Sequence, residues 1–143
     1  MNYIEMHKDL FTMPKEYYFA HCIASDLGMG AGIAVPMQKK FGIRGKIINS
    51  GFETKHPVCI LTGTVFNLIT KKKSNGKPTY DSVRLALECM RDIILEIGIE
   101  TINKIATPKI SAGLDRLQWG KIRDMIHDIF GDLDIEWVVC VWK

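Results

Sequence analysis

Two short runs of small residues are the first places in this 143-residue chain where backbone atoms could do chemistry. The first is Gly28-Met29-Gly30-Ala31-Gly32. Glycines let successive amides turn toward one point and let an anion come close, and a following helix adds the positive end of its dipole. Such a loop suits a pyrophosphate, and a tight turn that needs glycine only for its backbone fits the same residues. The second run, Ser111-Ala112-Gly113-Leu114-Asp115, has the same context, and its amides could meet a second phosphate. Two such loops in one small domain favour a diphosphate ligand. The G-x-G-x-G spacing departs from the G-x-G-x-x-G of dinucleotide-binding folds, which argues against a nicotinamide oxidoreductase.

Side chains with reactive chemistry are sparser. Lys71-Lys72-Lys73, with Lys77 nearby, is the densest cationic cluster, and its plain reading is a solvated turn. Cys22, Cys59, Cys89 and Cys140 form no C-x-x-C pair and sit among apolar neighbours. They read as reduced, buried thiols, with neither a disulfide framework nor a zinc site, and no metal or cofactor is expected. His21 lies within an apolar run and reads as a core or near-site histidine rather than a base.

The elements that must carry these loops alternate between strand and helix. Tyr3 to Lys8 alternates and predicts a strand, and Tyr17 to Ile23 predicts one buried on both faces. Ile33 to Phe41 has helical spacing, with Pro36 near its first turn and Gly42 as its stop. Val58 to Leu61 and Val65 to Thr70 predict a hairpin around Thr62-Gly63-Thr64. Thr79 is a candidate N-cap for a helix to Ile97, which Gly98 closes; Val83, Leu87, Met90 and Ile94 form its apolar stripe. A strand over Ile102 to Thr107, a helix over Trp119 to Phe130 and a strand over Ile135 to Trp142 complete the pattern. This mixture predicts an α/β fold, a three-layer α/β/α sandwich with a mixed central sheet, and one domain over residues 1–143. The ligand is expected outside the strand ends, where loops meet helix N-termini.

Bulk composition excludes other classes. Apolar residues make up 47% and charged residues 24%, values of an ordinary globular domain rather than a disordered chain. The net charge of +3 tolerates a phosphate-bearing ligand without demanding nucleic acid. No secretory leader is read at the N-terminus, and the longest apolar runs are far short of a membrane span, so a cytoplasmic protein is expected.

Asp9-Leu10-Phe11, Ala20-His21-Cys22-Ile23, Met29-Gly30-Ala31-Gly32-Ile33-Ala34, Leu68-Ile69-Thr70-Lys71-Lys72, Lys77-Pro78-Thr79-Tyr80 and Gly113-Leu114-Asp115-Arg116-Leu117-Gln118-Trp119 resemble, in that order, the macrodomain family. The similarity is to its terminal ADP-ribose protein glycohydrolase branch and spans nearly the whole chain. The resemblance implies a macrodomain fold with ADP-ribose in a cleft. It implies that Asp9 accepts from the adenine amine beside Leu10, and that Met29, Gly30, Ala31, Gly32 and Ile33 hold the distal ribose and a phosphate. It places Ser111, Ala112, Gly113 and Leu114 around the diphosphate, and His21 and Thr70 near the ligand. Lys71 and Asp115 match the family's catalytic pair. Family members often carry Gly-Cys-Gly where this chain has Ser111-Ala112-Gly113, and a polar residue where it has Ala24. The stretch between Phe41 and Val58 matches poorly.

By this resemblance the chain is a hydrolase that removes mono-ADP-ribose from modified acidic side chains. The neutral Lys71 amine would attack the anomeric carbon of the distal ribose, and Asp115 would move protons. O-acetyl-ADP-ribose deacetylation is a plausible side activity. The alternatives are hydrolysis of ADP-ribosylated DNA nucleobases, as in antitoxin-like macrodomains, and a binding module without turnover. The expected partners are ADP-ribose and ADP-ribosylated protein, or ADP-ribosylated DNA under the alternative. No membrane is expected, and the chain is expected to be a monomer.

Overall fold

The computed structural model describes residues 1–113 and 115–142. Six strands form one sheet, and four helices cover it. In chain order the elements are β1 (Asn2–His7), β2 (Tyr18–Ala24), α1 (Ala34–Phe41), α2 (Ile43–Ser50), β3 (Val58–Thr62), β4 (Val65–Lys71), α3 (Tyr80–Ile97), β5 (Lys104–Thr107), α4 (Trp119–Phe130) and β6 (Glu136–Val141). The strands lie in the order β1-β6-β5-β2-β4-β3, all parallel except β3, which runs antiparallel to β4. The fold is the expected three-layer α/β/α sandwich with a mixed sheet.

Parallel strands need both faces covered, and the sequence supplies two separate apolar interiors. Phe66, Leu68, Val83, Leu87, Met90, Ile94, Ile122, Ile126 and Trp137 form one, under α3 and α4. Phe19, Ile23, Met37, Ile43, Ile47, Ile60 and Ile69 form the other, under α1 and α2. α3 begins at a reciprocal cap: Ser82 N donates to Thr79 Oγ1 and Thr79 N donates to Ser82 Oγ, each at 3.0 Å. Gly42 at φ 60° and Gly98 at φ 107° end α1 and α3 in backbone that favours glycine.

One element is new relative to the sequence reading. Residues Ile43–Ser50 form α2, directly after the Gly42 stop. Its Gly45, Asn49 and Ser50 are poor helix formers. Burial decides in favour of the helix, because Ile43 and Ile47 stack one turn apart and are 0% and 1% exposed.

The chain leaves β2 toward β3 and β4 by way of α1 and α2 on one face. It then crosses from β4 to β5 by way of α3 on the other. The carboxyl ends of β2, β4 and β5 therefore meet where the winding changes sides, the place where open α/β sheets hold ligands.

Candidate active site

A cleft of about 520 Å³ opens at those three strand ends, a size suited to a nucleotide-scale ligand. One wall is the loop from Met29 to Ile33, which runs into α1 at Ala34. The opposite wall is Pro108 to Ser111 with Gly113 and Asp115. Cys22, Ile23 and Ala24 contribute from the end of β2, and Lys71, Ser74, Asn75 and Lys77 border the mouth. The two small-residue runs thus face each other across a shared space, as a diphosphate site requires.

Both loops carry backbone strain. Among the described residues, the non-glycine positions with left-handed φ are Leu27 (56°), Met29 (47°), Ser111 (58°) and Arg116 (60°), two in each loop. Each costs roughly 1–2 kcal/mol unless its surroundings compensate. On the first loop, Arg44 of α2 donates from Nε to the Leu27 carbonyl at 2.8 Å and from Nη2 to the Gly28 carbonyl at 2.6 Å. On the second, Leu117 N donates to Ser111 O at 2.9 Å, and Arg116 N to Gly113 O at 3.1 Å. Such turns point amides toward one side, which is how a backbone collects an anion without a cation.

Lys71 ends β4, and its Nζ donates to Asp115 Oδ1 at 2.8 Å. Their side chains are 14% and 13% exposed, so the pair meets largely out of water. Chain segments 44 residues apart deliver an amine and a carboxylate to one point on the cleft wall. Asp115 lies outside the first turn of α4, whose cap residue is Gln118, so the helix-terminal role that its sequence position allows is not the one it plays.

Beneath the second loop, the Ser111 hydroxyl donates to Cys22 Sγ at 3.2 Å. Burial pushes the Cys22 thiol up to about 12, which keeps it protonated and a poor nucleophile. All four cysteines are free. On the other face of β2, His21 is fully buried with Nε2 at 2.7 Å from Asn67 Oδ1. Burial pulls this imidazole down to about 4, so it is neutral at physiological pH.

Of the residues expected to contact ligand, Met29, Gly30, Ala31, Gly32, Ile33, Lys71, Ser111, Gly113 and Asp115 line the cleft. His21 does not: its side chain is committed to Asn67 inside the α1–α2 interior. Thr70 is 1% exposed and Leu10 is 3% exposed, and neither they nor Ala112 form part of the cleft wall. Asp9 caps the short 3-10 turn Leu10–Thr12 by accepting from Phe11 N at 3.0 Å, away from the lining. Leu114 lies outside the described residues. Sequence reasoning missed Cys22, Ile23, Ala34, Ser74, Asn75, Lys77, Pro108, Lys109 and Ile110. The signal was present for most of them, because they are the last residues of a strand or the first beyond one.

Among the described residues no three His, Cys, Asp or Glu side chains are grouped to hold a metal ion. No helix among them is long and apolar enough to cross a membrane.

Over 131 residues the chain is 40% identical to the human ADP-ribose glycohydrolase OARD1, a match covering 90% of this chain and 84% of that protein. No protein-family model matches it. The fold superposes on the macrodomain of Mycobacterium tuberculosis DarG with a TM-score of 0.82 at 19% identity, covering 98% of this chain and 96% of that one. Thermosipho africanus DarTG, whose structure is a complex with ADP-ribose, aligns with a TM-score of 0.75 at 14% identity over 98% of this chain and 41% of that one. At those identities the structural likeness speaks for the fold.

Proposed function

This chain belongs to the family of the OARD1 ADP-ribose glycohydrolases, and from that premise we propose that Lys71 is the nucleophile that detaches a single ADP-ribose unit from modified acidic side chains. The chain is an ADP-ribosyl hydrolase with a macrodomain fold. The observation that carries the finer reading is the 2.8 Å contact of Lys71 Nζ with Asp115 Oδ1, set at the cleft between two loops suited to a diphosphate.

The chemistry follows from that geometry. The diphosphate lies between the amides of the two loops, which sends the distal ribose toward β4. Asp115 takes a proton from the Lys71 ammonium, freeing its lone pair. Nζ then attacks the anomeric carbon and expels the acceptor as a carboxylate, so one C–N bond forms as one C–O bond breaks. Water then attacks the same carbon as the C–N bond breaks; the Asp115 proton returns to the departing Lys71 amine, the water's proton passes to solvent, and ADP-ribose is released. An acetyl ester on the same ribose presents a related target. The same reading takes residues 1–143 as one macrodomain that works as a cytoplasmic monomer on ADP-ribosylated protein.

The test is Lys71→Ala. Calorimetric ADP-ribose binding stays within about threefold of the parent, because the loops hold the diphosphate. Release of ADP-ribose from an ester-linked peptide falls by at least roughly 1,000-fold, since the covalent route is gone. Undiminished release would remove Lys71 from the mechanism.

A further inference from the structure

One carboxylate joins two segments that carry different halves of the site. Asp26 Oδ1 accepts from Gly28 N at 2.9 Å and from Ser74 Oγ at 2.6 Å, and Oδ2 accepts from Ser74 N at 2.8 Å. Gly28 leads into the Met29–Ile33 wall, whereas Ser74 follows Lys71 by three residues and borders the mouth. The fit is close enough that a Cβ on Gly28 would sit 2.2 Å from Ser74 Oγ. From the other side, Arg44 holds the carbonyls of Leu27 and Gly28.

We infer that Asp26 is a positioning residue for the hydrolase, clamping the anion-binding loop onto the turn after Lys71 and so setting the distance from the anomeric carbon to the amine. This rests on the reading of Lys71 as the nucleophile. All three hydrogen bonds are charge-assisted, and they hold the Asp26 carboxyl below the usual carboxylate range, the Ser74 hydroxyl contributing most. Displacing a reacting centre by about 1 Å can cost roughly 100-fold in rate. Loop and amine are anchored to different strands, β2 and β4. The backbone bond from Ser25 N to Lys71 O joins those strands just below the loop, and the Asp26 clamp spans the region above it. An asparagine at 26 keeps the shape but offers one acceptor oxygen in place of two, so its amide nitrogen must face a Ser74 donor.

Asp26→Asn, Ser74→Ala and Lys71→Ala are to be compared with the parent on an ADP-ribosyl ester peptide. The measurements are kcat, KM, ADP-ribose Kd and Tm. Expected is a kcat loss of about 10- to 100-fold for Asp26→Asn. Ser74→Ala loses several-fold, and both variants keep ADP-ribose Kd within about threefold. A parental kcat in Asp26→Asn overturns the inference. So does a kcat loss matched by an equal loss of ADP-ribose affinity, which would make Asp26 part of the phosphate loop alone. Should Asp26→Asn unfold, Ser74→Ala carries the same test, because it removes one exposed hydroxyl. Turnover surviving in Lys71→Ala marks failure of the nucleophile reading; a dead Lys71→Ala beside an unimpaired Asp26→Asn marks failure of this inference alone.

Discussion

The loop from Ser25 to Ile33 is tied to distant segments, by Arg44 of α2 and by its own Asp26 reaching Ser74, whereas the loop from Pro108 to Gln118 is folded mostly on itself. Arg44 holds the carbonyls of Leu27 and Gly28, and Ser74 holds the carboxylate of Asp26. The second closes through its own backbone turns, with Tyr80 Oη receiving Gln118 N at 3.0 Å and Cys22 supporting Ser111. The carboxylate that meets Lys71 rides on the self-folded loop, and the loop opposite it is tied to segments outside it. The two walls of one cleft are therefore exposed to different perturbations: the first fails when a remote residue changes, the second when its own turn changes.

The largest effect should come from the second wall. Asp115→Asn keeps the side chain's size but cannot take the proton from Lys71, and kcat should fall by roughly 1,000-fold with ADP-ribose affinity little changed. A kcat within threefold of the parent would show that this wall only binds.

The two supports under the sheet should differ next. Cys22 stays neutral because its thiol is pushed up to about 12. His21 is held down to about 4, from an ordinary value of 6.5. The unfolded chain protonates this imidazole near pH 6.5, while the folded chain resists until about pH 4, so the unfolded state binds the extra proton between those values. Stability from this group is complete above pH 6.5 and falls as the pH drops toward 4, by about 3 kcal/mol at most. Urea midpoints followed from pH 7.5 to 4 should show the loss, and His21→Gln should flatten part of it. An identical slope in that variant would assign the acid sensitivity elsewhere.

The smallest effect tests the remote hold on the first wall. Arg44→Ala leaves two loop carbonyls without their donors and should weaken ADP-ribose binding about tenfold, the size expected for losing charge-assisted bonds at a half-open site. Calorimetry that gives the parental affinity would mean that Asp26 alone holds the loop.

Much of this was legible in the residues. Thr79 and Gly98 bracket α3 because cap chemistry is local, and the hairpin at Gly63 was readable for the same reason. The two loops announced themselves through small residues, which mark where backbone must approach something. What stayed hidden depends on distance in the chain. α2 exists because Ile43 and Ile47 find an interior, a fact absent from its own propensities. Nothing local marks Asp26, because its partner Ser74 is 48 residues away. The resemblance drew His21 toward the ligand, yet it sits short of the strand end that lines the cleft, fully buried and 2.7 Å from Asn67 Oδ1.

A strand's alternation makes β2 the shared spine of the molecule. Phe19 and Ile23 belong to one interior, and Ala20 and Cys22 pack with the other. Register is consequently an all-or-nothing property here. Sliding β2 one residue against β4 would take His21 from its pairing opposite Asn67 and turn it toward Phe66 and Leu68, and the same slip would invert the strand end that launches the first loop. Seven residues thereby proofread the alignment of the whole sheet, and a chain threaded out of step would lose both interiors and the cleft together.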